Sequence, residues 1–134
     1  PYPIGGNGDL GLMGYLVLDP ADYPENPYVG RVRECAEDYT GRNVVDEVWA
    51  YNVLQHVRDP GAVMATARRC ASHTIRWFDV VDTPIYPVHP HSISADWLRA
   101  EMSKDGFRII RDIDGSRLVE GARQKFVALV AERA

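Results

Sequence analysis

The chain has 134 residues, of which 46% are hydrophobic and 25% are charged, a composition typical of one compact globular domain. Its formal net charge of -4 gives no diffuse basic field that would favour nucleic acid or an anionic membrane. The longest apolar stretch, Leu10–Leu18, contains two glycines and is far shorter than the roughly 20 residues that a membrane span requires. We therefore expect no membrane partner and no sequence-independent binding of nucleic acid, although a local patch remains the alternative route to a nucleic-acid substrate.

The N-terminal half is predicted to consist of loops and short strands. Glycine and proline dominate Pro1–Gly14, which predicts a loop. Tyr15–Leu18 is a continuous apolar run that ends at Asp19, as expected for a strand buried on both faces of a parallel sheet. Val32–Ala36 predicts a short second strand, and Val44–Tyr51, rich in β-branched and aromatic residues, predicts a third.

The C-terminal half alternates helices and strands. In order, we expect a helix beginning at Asp59-Pro60, a strand Thr74–Phe78, a loop Asp79–His91, a helix from Ser94 to Gly106, and strands Phe107–Ile113 and Phe126–Ala131. Asp59 suits the N-cap and Pro60 the first helical position. The last two strands have no helix between them and can pair as an antiparallel hairpin. The pattern predicts an α/β fold whose core includes Trp49, Trp77 and Trp97.

Two acidic segments follow predicted strands in the N-terminal half. Asp19 stands at the carboxyl end of a strand, where open α/β sheets bind ligands, and its carboxylate can accept two hydrogen bonds from a ribose diol. Alternatively, it only ends the strand or caps a turn. The acidic side chains of Glu34–Asp38 can meet an adenine amino group, but the segment also fits a simple charged loop.

A longer motif follows the third strand. Val53-Leu54-Gln55-His56-Val57-Arg58-Asp59-Pro60 resembles the fourth motif of small-molecule class I S-adenosylmethionine-dependent methyltransferases, whose usual form is V-L-E-H-V-x-D-P leading into a helix. Leu18-Asp19-Pro20 and Cys35-Ala36-Glu37-Asp38 stand in the order and spacing of two earlier motifs of that family. His91–Leu98 and Gly106-Phe107 resemble its late helix and the entry to its sixth strand. The resemblance therefore covers nearly the whole chain.

The resemblance implies a fold, a cofactor and an activity. The fold is a Rossmann-like, mostly parallel sheet with helices on its faces and an antiparallel strand pair at the C-terminal end. The cofactor is S-adenosyl-L-methionine, and the activity is methyl transfer to an oxygen or nitrogen of a small molecule or glycan precursor. The implied cofactor-binding residues are Asp19, Pro20, Cys35, Ala36, Glu37, Tyr51, Asn52 and His56.

One departure from the family concerns its opening strand and glycine-rich loop, which the sequence lacks. Pro1–Gly6 resembles the segment after the second glycine of a Gly-x-Gly-Pro version, whereas Gly5–Gly8 could instead be a degenerate loop. We therefore expect residues 1–134 to form one methyltransferase-like domain that is N-terminally incomplete. A gap in the sheet would favour self-association as a homodimer. The alternative function is a catalytically inactive binding or partner subunit.

Three histidines are candidate catalytic bases, because a hydroxyl acceptor must lose a proton and histidine titrates near neutral pH. His56 lies just past the third predicted strand, and His89 and His91 lie in the proline-rich loop where the family builds its acceptor pocket. Each also has a structural alternative. His56 can bond a backbone carbonyl, and Pro87 and Pro90 can make the loop a rigid surface turn.

No metal is expected at the motif that contains His56. Some relatives bind a divalent ion through an E-x-x-E-H form of the motif, but here Asn52, Gln55 and His56 occupy those positions, and neutral amides replace carboxylates poorly around a hard cation. A competing interpretation is a metal-dependent hydrolase that uses the loop residues Asp79, Asp82, His89 and His91. Cys35 and Cys70 lie far apart and form no CxxC pair, which favours free thiols and a cytoplasmic location.

Overall fold

The chain consists of two compact units, Pro1–Tyr39 and Thr40–Ala134. The computed structural model describes residues 15–21, 24, 29–118 and 124–134. The predicted loop Pro1–Gly14, with its candidate glycine-rich segment Gly5–Gly8, lies outside these residues.

The first unit contains two short parallel strands, β1 (Tyr15–Leu18) and β2 (Val29–Val32). The pairing continues past β1, because the Asp19 amide donates to the Val32 carbonyl at 3.2 Å. The prediction of β1 is confirmed, but its side chains alternate between exposed and half-buried, so β1 is not buried on both faces. The prediction of a strand at Val32–Ala36 is wrong, because the residues that pair with β1 are Val29–Val32.

The second unit is an α/β sandwich built on a four-stranded sheet. Its elements are β3 (Val45–Tyr51), α1 (Pro60–Cys70), β4 (Ala71–Val81), α2 (Ala95–Met102), β5 (Phe107–Asp114), a 3-10 turn (Gly115–Leu118) and β6 (Lys125–Arg133). The strand order is β3-β4-β6-β5. β3 runs parallel to β4, whereas β6 is antiparallel to both β4 and β5. The predicted α/β class and its antiparallel C-terminal pair are therefore confirmed.

Both helices begin at the caps that the sequence predicts. Asp59 accepts a hydrogen bond from the Ala62 amide at 3.0 Å, and the Ser94 hydroxyl oxygen accepts one from the Trp97 amide at 3.1 Å. After α2, Gly106 has φ 83°, a conformation that suits glycine and turns the chain into β5. Neither described helix could cross a bilayer, since α1 has 11 residues and α2 has eight.

The core lies between the two helices and one face of the sheet. Ile75 and Trp77 of β4 and Leu129 of β6 are at most 2% exposed on that face. The alternate residues of the strands point to the opposite face, where Trp49 is 74% exposed. The expectation that Trp49 lies in the core is therefore wrong, while that for Trp77 is confirmed.

A buried arginine joins the C-terminal ends of the two helices. Arg68 of α1 donates to a carboxylate oxygen of Glu101 at 3.0 Å and to its backbone carbonyl at 2.9 Å. Its Nε donates to Asp105 at 2.7 Å, and the side chain is 6% exposed. Because the guanidinium is satisfied on several sides, it can remain charged inside the protein.

We expect Arg68→Ala to lower the free energy of unfolding by about 3 kcal/mol, because it removes the buried guanidinium from the Glu101 carboxylate, which then keeps only Lys104 as an ion-pair partner. Arg99→Ala is the matched control. Arg99 also pairs with two carboxylates but is 38% exposed, so its loss should cost less than about 1 kcal/mol. Urea unfolding of both variants measures the difference. Equal losses would contradict this account of the buried network.

Candidate functional site

Asn52 turns the chain away from the sheet at the carboxyl end of β3. Its φ of 55° is a left-handed conformation that asparagine tolerates better than most residues. Its amide donates to the Phe78 carbonyl at 2.7 Å, which extends the pairing of β3 with β4 by one residue. Its side-chain oxygen accepts a hydrogen bond from Gln55 at 2.9 Å. Both the backbone and the side chain of Asn52 are thus held in place.

The carboxylate of Asp79, in β4, binds the turn that follows Asn52. One oxygen of Asp79 accepts hydrogen bonds from the Val53 amide at 3.2 Å, the Leu54 amide at 3.0 Å and the Trp77 indole at 3.0 Å. The other oxygen accepts from the Val80 amide at 3.0 Å. The Leu54 side chain is fully buried, so both the backbone and the side chain fix this turn.

Burial raises the pKa of Asp79, although hydrogen bonds from the Leu54 amide and the Trp77 indole act against that shift.

The prediction of a loop that begins at Asp79 is wrong, since the strand β4 continues to Val81. The position of Asp79 also removes the proposed hydrolase cluster, because the Asp79 oxygens already accept from four donors in the core. No group of three or more metal-ligating side chains occurs among the described residues.

His56 is held by hydrogen bonds on both ring nitrogens. Its Nδ1 lies 3.1 Å from the Val88 carbonyl, which can only accept, so we assign the proton to Nδ1. The lone pair of Nε2 then faces the Gln55 side-chain nitrogen, which donates across 3.2 Å. The same Gln55 nitrogen donates to Asn52, so one amide links two candidate site residues.

The loop after β4 brings His89 to His56. Two backbone hydrogen bonds of 2.9 Å between Tyr86 and His89 form a tight turn within this loop. The rings of His56 and His89 then meet edge to face, with centroids 4.6 Å apart. The ring nitrogens of His89 have no hydrogen-bond partner among the described residues.

His91 lies apart from the other two histidines. Its Nε2 is 3.1 Å from the Arg58 carbonyl, just before α1. It lines an open groove of about 500 Å³ together with residues from the starts of both helices, including Pro60 and Trp97. The structure therefore brings His56 and His89 together and leaves His91 beside a neighbouring groove.

Tyr51 ends β3 with its ring on the sheet face opposite the helices. The ring is stacked on Phe78, with centroids 4.7 Å apart, and Phe78 is stacked on Phe126 at 5.1 Å. Tyr51 remains 70% exposed and offers a flat apolar surface next to Asn52.

The other candidate residues lie in the first unit, after the carboxyl ends of β1 and β2. Asp19 follows β1, and one of its carboxylate oxygens accepts a hydrogen bond from the Ala21 amide at 2.7 Å. Pro20 is exposed beside it. Cys35, Ala36 and Glu37 are half-buried in a turn after β2. Ligands of α/β sheets bind beyond such strand ends.

Sequence reasoning missed the role of Asp79. The signal was present, because this carboxylate stands between Phe78 and Val80 in an otherwise apolar run. An acidic residue inside such a run is rarely buried unless several donors satisfy it. As a metal ligand Gln55 is poor, but in the structure its side-chain nitrogen joins Asn52 to His56.

No protein-family model and no curated protein matches the sequence. Solved structures do match it. The magnesium protoporphyrin IX methyltransferase from Synechocystis with bound S-adenosylhomocysteine has a TM-score of 0.60 and 15% identity, covering 79% of this chain and 52% of that chain. The 1,6-didemethyltoxoflavin-N1-methyltransferase from Burkholderia thailandensis, with 1,6-didemethyltoxoflavin and S-adenosylhomocysteine bound, has a TM-score of 0.68 and 13% identity, covering 89% and 60%.

A third match is the cyclase SpnF, with a TM-score of 0.62 and 14% identity, covering 79% of this chain and 56% of that chain. The chain thus spans about half the length of the first of these proteins. At these identities the likeness is one of fold. The chain has the fold of the class I S-adenosylmethionine-dependent methyltransferases, as the resemblance of its motifs predicts.

Proposed function

We propose that this protein transfers a methyl group from S-adenosylmethionine to an oxygen or nitrogen of a small molecule. The observation that carries the proposal is the turn after β3, where Asn52 and His56 are held by bonds on a fold whose solved examples include methyltransferases with S-adenosylhomocysteine bound. Both of those methyltransferases are named for small-molecule substrates, which supports the same substrate class here. The acceptor is either a free metabolite or a glycan precursor.

The chemistry of the candidate residues fits this cofactor. Asp19 supplies a carboxylate at a strand end, and a ribose diol would donate two hydrogen bonds to such a group. Glu37 would accept from the adenine amino group, while the backbone of Cys35 and Ala36 would meet the ring nitrogens. The resemblance assigns Pro20, Tyr51, Asn52 and His56 to the same ligand. The flat exposed ring of Tyr51 suits an apolar contact.

When bound, S-adenosylmethionine supplies a methyl group already activated on a sulfonium. The protein then has to align the acceptor, exclude water and remove a proton. We assign proton removal to His89, because its ring nitrogens have no partner among the described residues. His56 and His91 already use ring nitrogens on the Val88 and Arg58 carbonyls. In this assignment His56 orients the His89 ring, and His91 lines the adjacent groove.

The alternative is a methyltransferase-like subunit that does not catalyse. The cyclase SpnF has a similar fold, so the fold alone does not determine the chemistry. A measurement of cofactor binding distinguishes the methyltransferase from the non-catalytic subunit. A homodimer and a cytoplasmic location stay predictions, the latter supported by the free thiols of Cys35 and Cys70.

We expect the full natural protein to bind S-adenosylhomocysteine with a Kd in the micromolar range, as measured by isothermal titration calorimetry. Asp19→Asn should weaken binding about tenfold, because it removes charge-assisted hydrogen bonds to the ribose. The control is Asp96→Asn, which makes the same charge change on a side chain that is 95% exposed. Absence of binding by the natural protein would contradict the enzyme proposal and favour the non-catalytic subunit.

We expect His89→Gln to lower kcat about a hundredfold, because the variant lacks a base. The assay follows labelled methyl groups from S-adenosylmethionine onto a panel of phenols and aromatic amines. Affinity for S-adenosylhomocysteine should not change. His73→Gln, an exposed histidine of β4, is the control. A His89→Gln enzyme with the wild-type kcat would exclude His89 as the base.

A further inference from the structure

We propose that Asp79 is a positioning residue for the cofactor site, where its buried carboxylate holds the turn after β3 so that Asn52 and His56 keep the orientation that binding requires. This inference rests on the proposed function, because it concerns the same site. It adds a residue of the neighbouring strand whose hydrogen bonds, among the described residues, go neither to the side chains of the predicted cofactor residues nor to the candidate base.

Two consecutive residues of β4 hold three consecutive amides of the turn. The Phe78 carbonyl accepts from the Asn52 amide at 2.7 Å, and Asp79 accepts from the Val53 and Leu54 amides at 3.2 and 3.0 Å. Because these bonds come from successive peptide planes, they fix the direction of the backbone as it leaves the sheet. The left-handed conformation of Asn52 requires such support, since it costs energy in a residue other than glycine.

The position of the turn determines the side chains beyond it. The His56 amide donates to the Val53 carbonyl at 3.0 Å, so the same residue whose amide binds Asp79 also anchors His56. Gln55 then donates to the Asn52 oxygen and to Nε2 of His56. A displacement of the 53–54 peptide would therefore change the orientation of both candidate residues together.

The donors around Asp79 are satisfied only if both of its side-chain oxygens act as hydrogen-bond acceptors. Three N–H groups point at one carboxylate oxygen and the Val80 amide points at the other. An asparagine has one acceptor oxygen and one NH2 group, so in either orientation it places donor against donor. A carboxylate therefore fits these four donors, and an asparagine does not.

Burial raises the pKa of Asp79 above its ordinary value of 3.8, because the core disfavours the charged form. The contribution of such a raised pKa to stability is full below the ordinary pKa and is lost as the pH rises through the raised value. The hydrogen bonds from the turn, the indole and the Val80 amide act against the cost of burial and fix the carboxylate on the turn.

Asp79→Asn tests the positioning role, and Asp46→Asn, an exposed aspartate at the start of β3, is the matched control. At pH 7 we expect the Asp79→Asn variant to melt below the wild-type temperature, because its NH2 group meets a buried donor. Its Kd for S-adenosylhomocysteine should rise about tenfold, because the turn that carries Asn52 and His56 loses its support. Hydrogen exchange of the Leu54 amide, followed by NMR, should accelerate about tenfold. The control should change none of these three quantities.

Wild-type affinity together with wild-type Leu54 exchange in Asp79→Asn would overturn the proposal. So would a lower melting temperature without a change in affinity, since that result indicates a purely structural group. Should the variant not fold, the wild-type protein decides: exchange of the Val53 and Leu54 amides at the rate of an unprotected chain would exclude the proposed bonds. If the wild-type protein binds no S-adenosylhomocysteine, the proposed function fails, whereas Leu54 exchange still reports whether Asp79 holds the turn.

Discussion

The turn after β3 depends on hydrogen bonds that its own residues cannot supply. Its amides point across to β4, where the Phe78 carbonyl and the Asp79 carboxylate accept them. An unpaired amide at this depth would be costly, so the turn depends on the pairing of the two strands. The geometry around Asn52 is therefore a property of the β3–β4 pair, rather than of the motif that contains Asn52.

The same strand controls the second half of the candidate site. β4 continues to Val81, and the Asp82 amide then donates to the Ile93 carbonyl at 2.8 Å, which closes the following loop at its base. Within that loop the turn at His89 directs its ring toward His56. One histidine is thus held by hydrogen bonds, whereas the ring nitrogens of the other have no hydrogen-bond partner in the part of the chain that the structure describes. The proposed function uses this difference, with one histidine orienting and the other exchanging a proton.

Packing on the helical face of the sheet gives this arrangement a rigid support. Trp77 contributes its ring to the core and its indole N–H to Asp79, so the packed face and the hydrogen-bonded turn share one residue. Arg68 ties the ends of α1 and α2 together beneath the same sheet. On the opposite face, Tyr51 and Phe78 are stacked where the ring of Tyr51 remains accessible. A fixed core with one accessible edge is the usual basis of precise ligand placement.

Local signals in the sequence determined the helix starts, the antiparallel closing pair and the motif around His56, because each depends on residues that are near neighbours along the chain. The tertiary structure alone decided where β2 ends, that Trp49 is exposed and that Asp79 belongs to a strand. Asp79 receives its donors on the turn from residues 25 and 26 positions earlier. No local pattern encodes such partners, since strand register and long-range hydrogen bonds are fixed only when the sheet assembles.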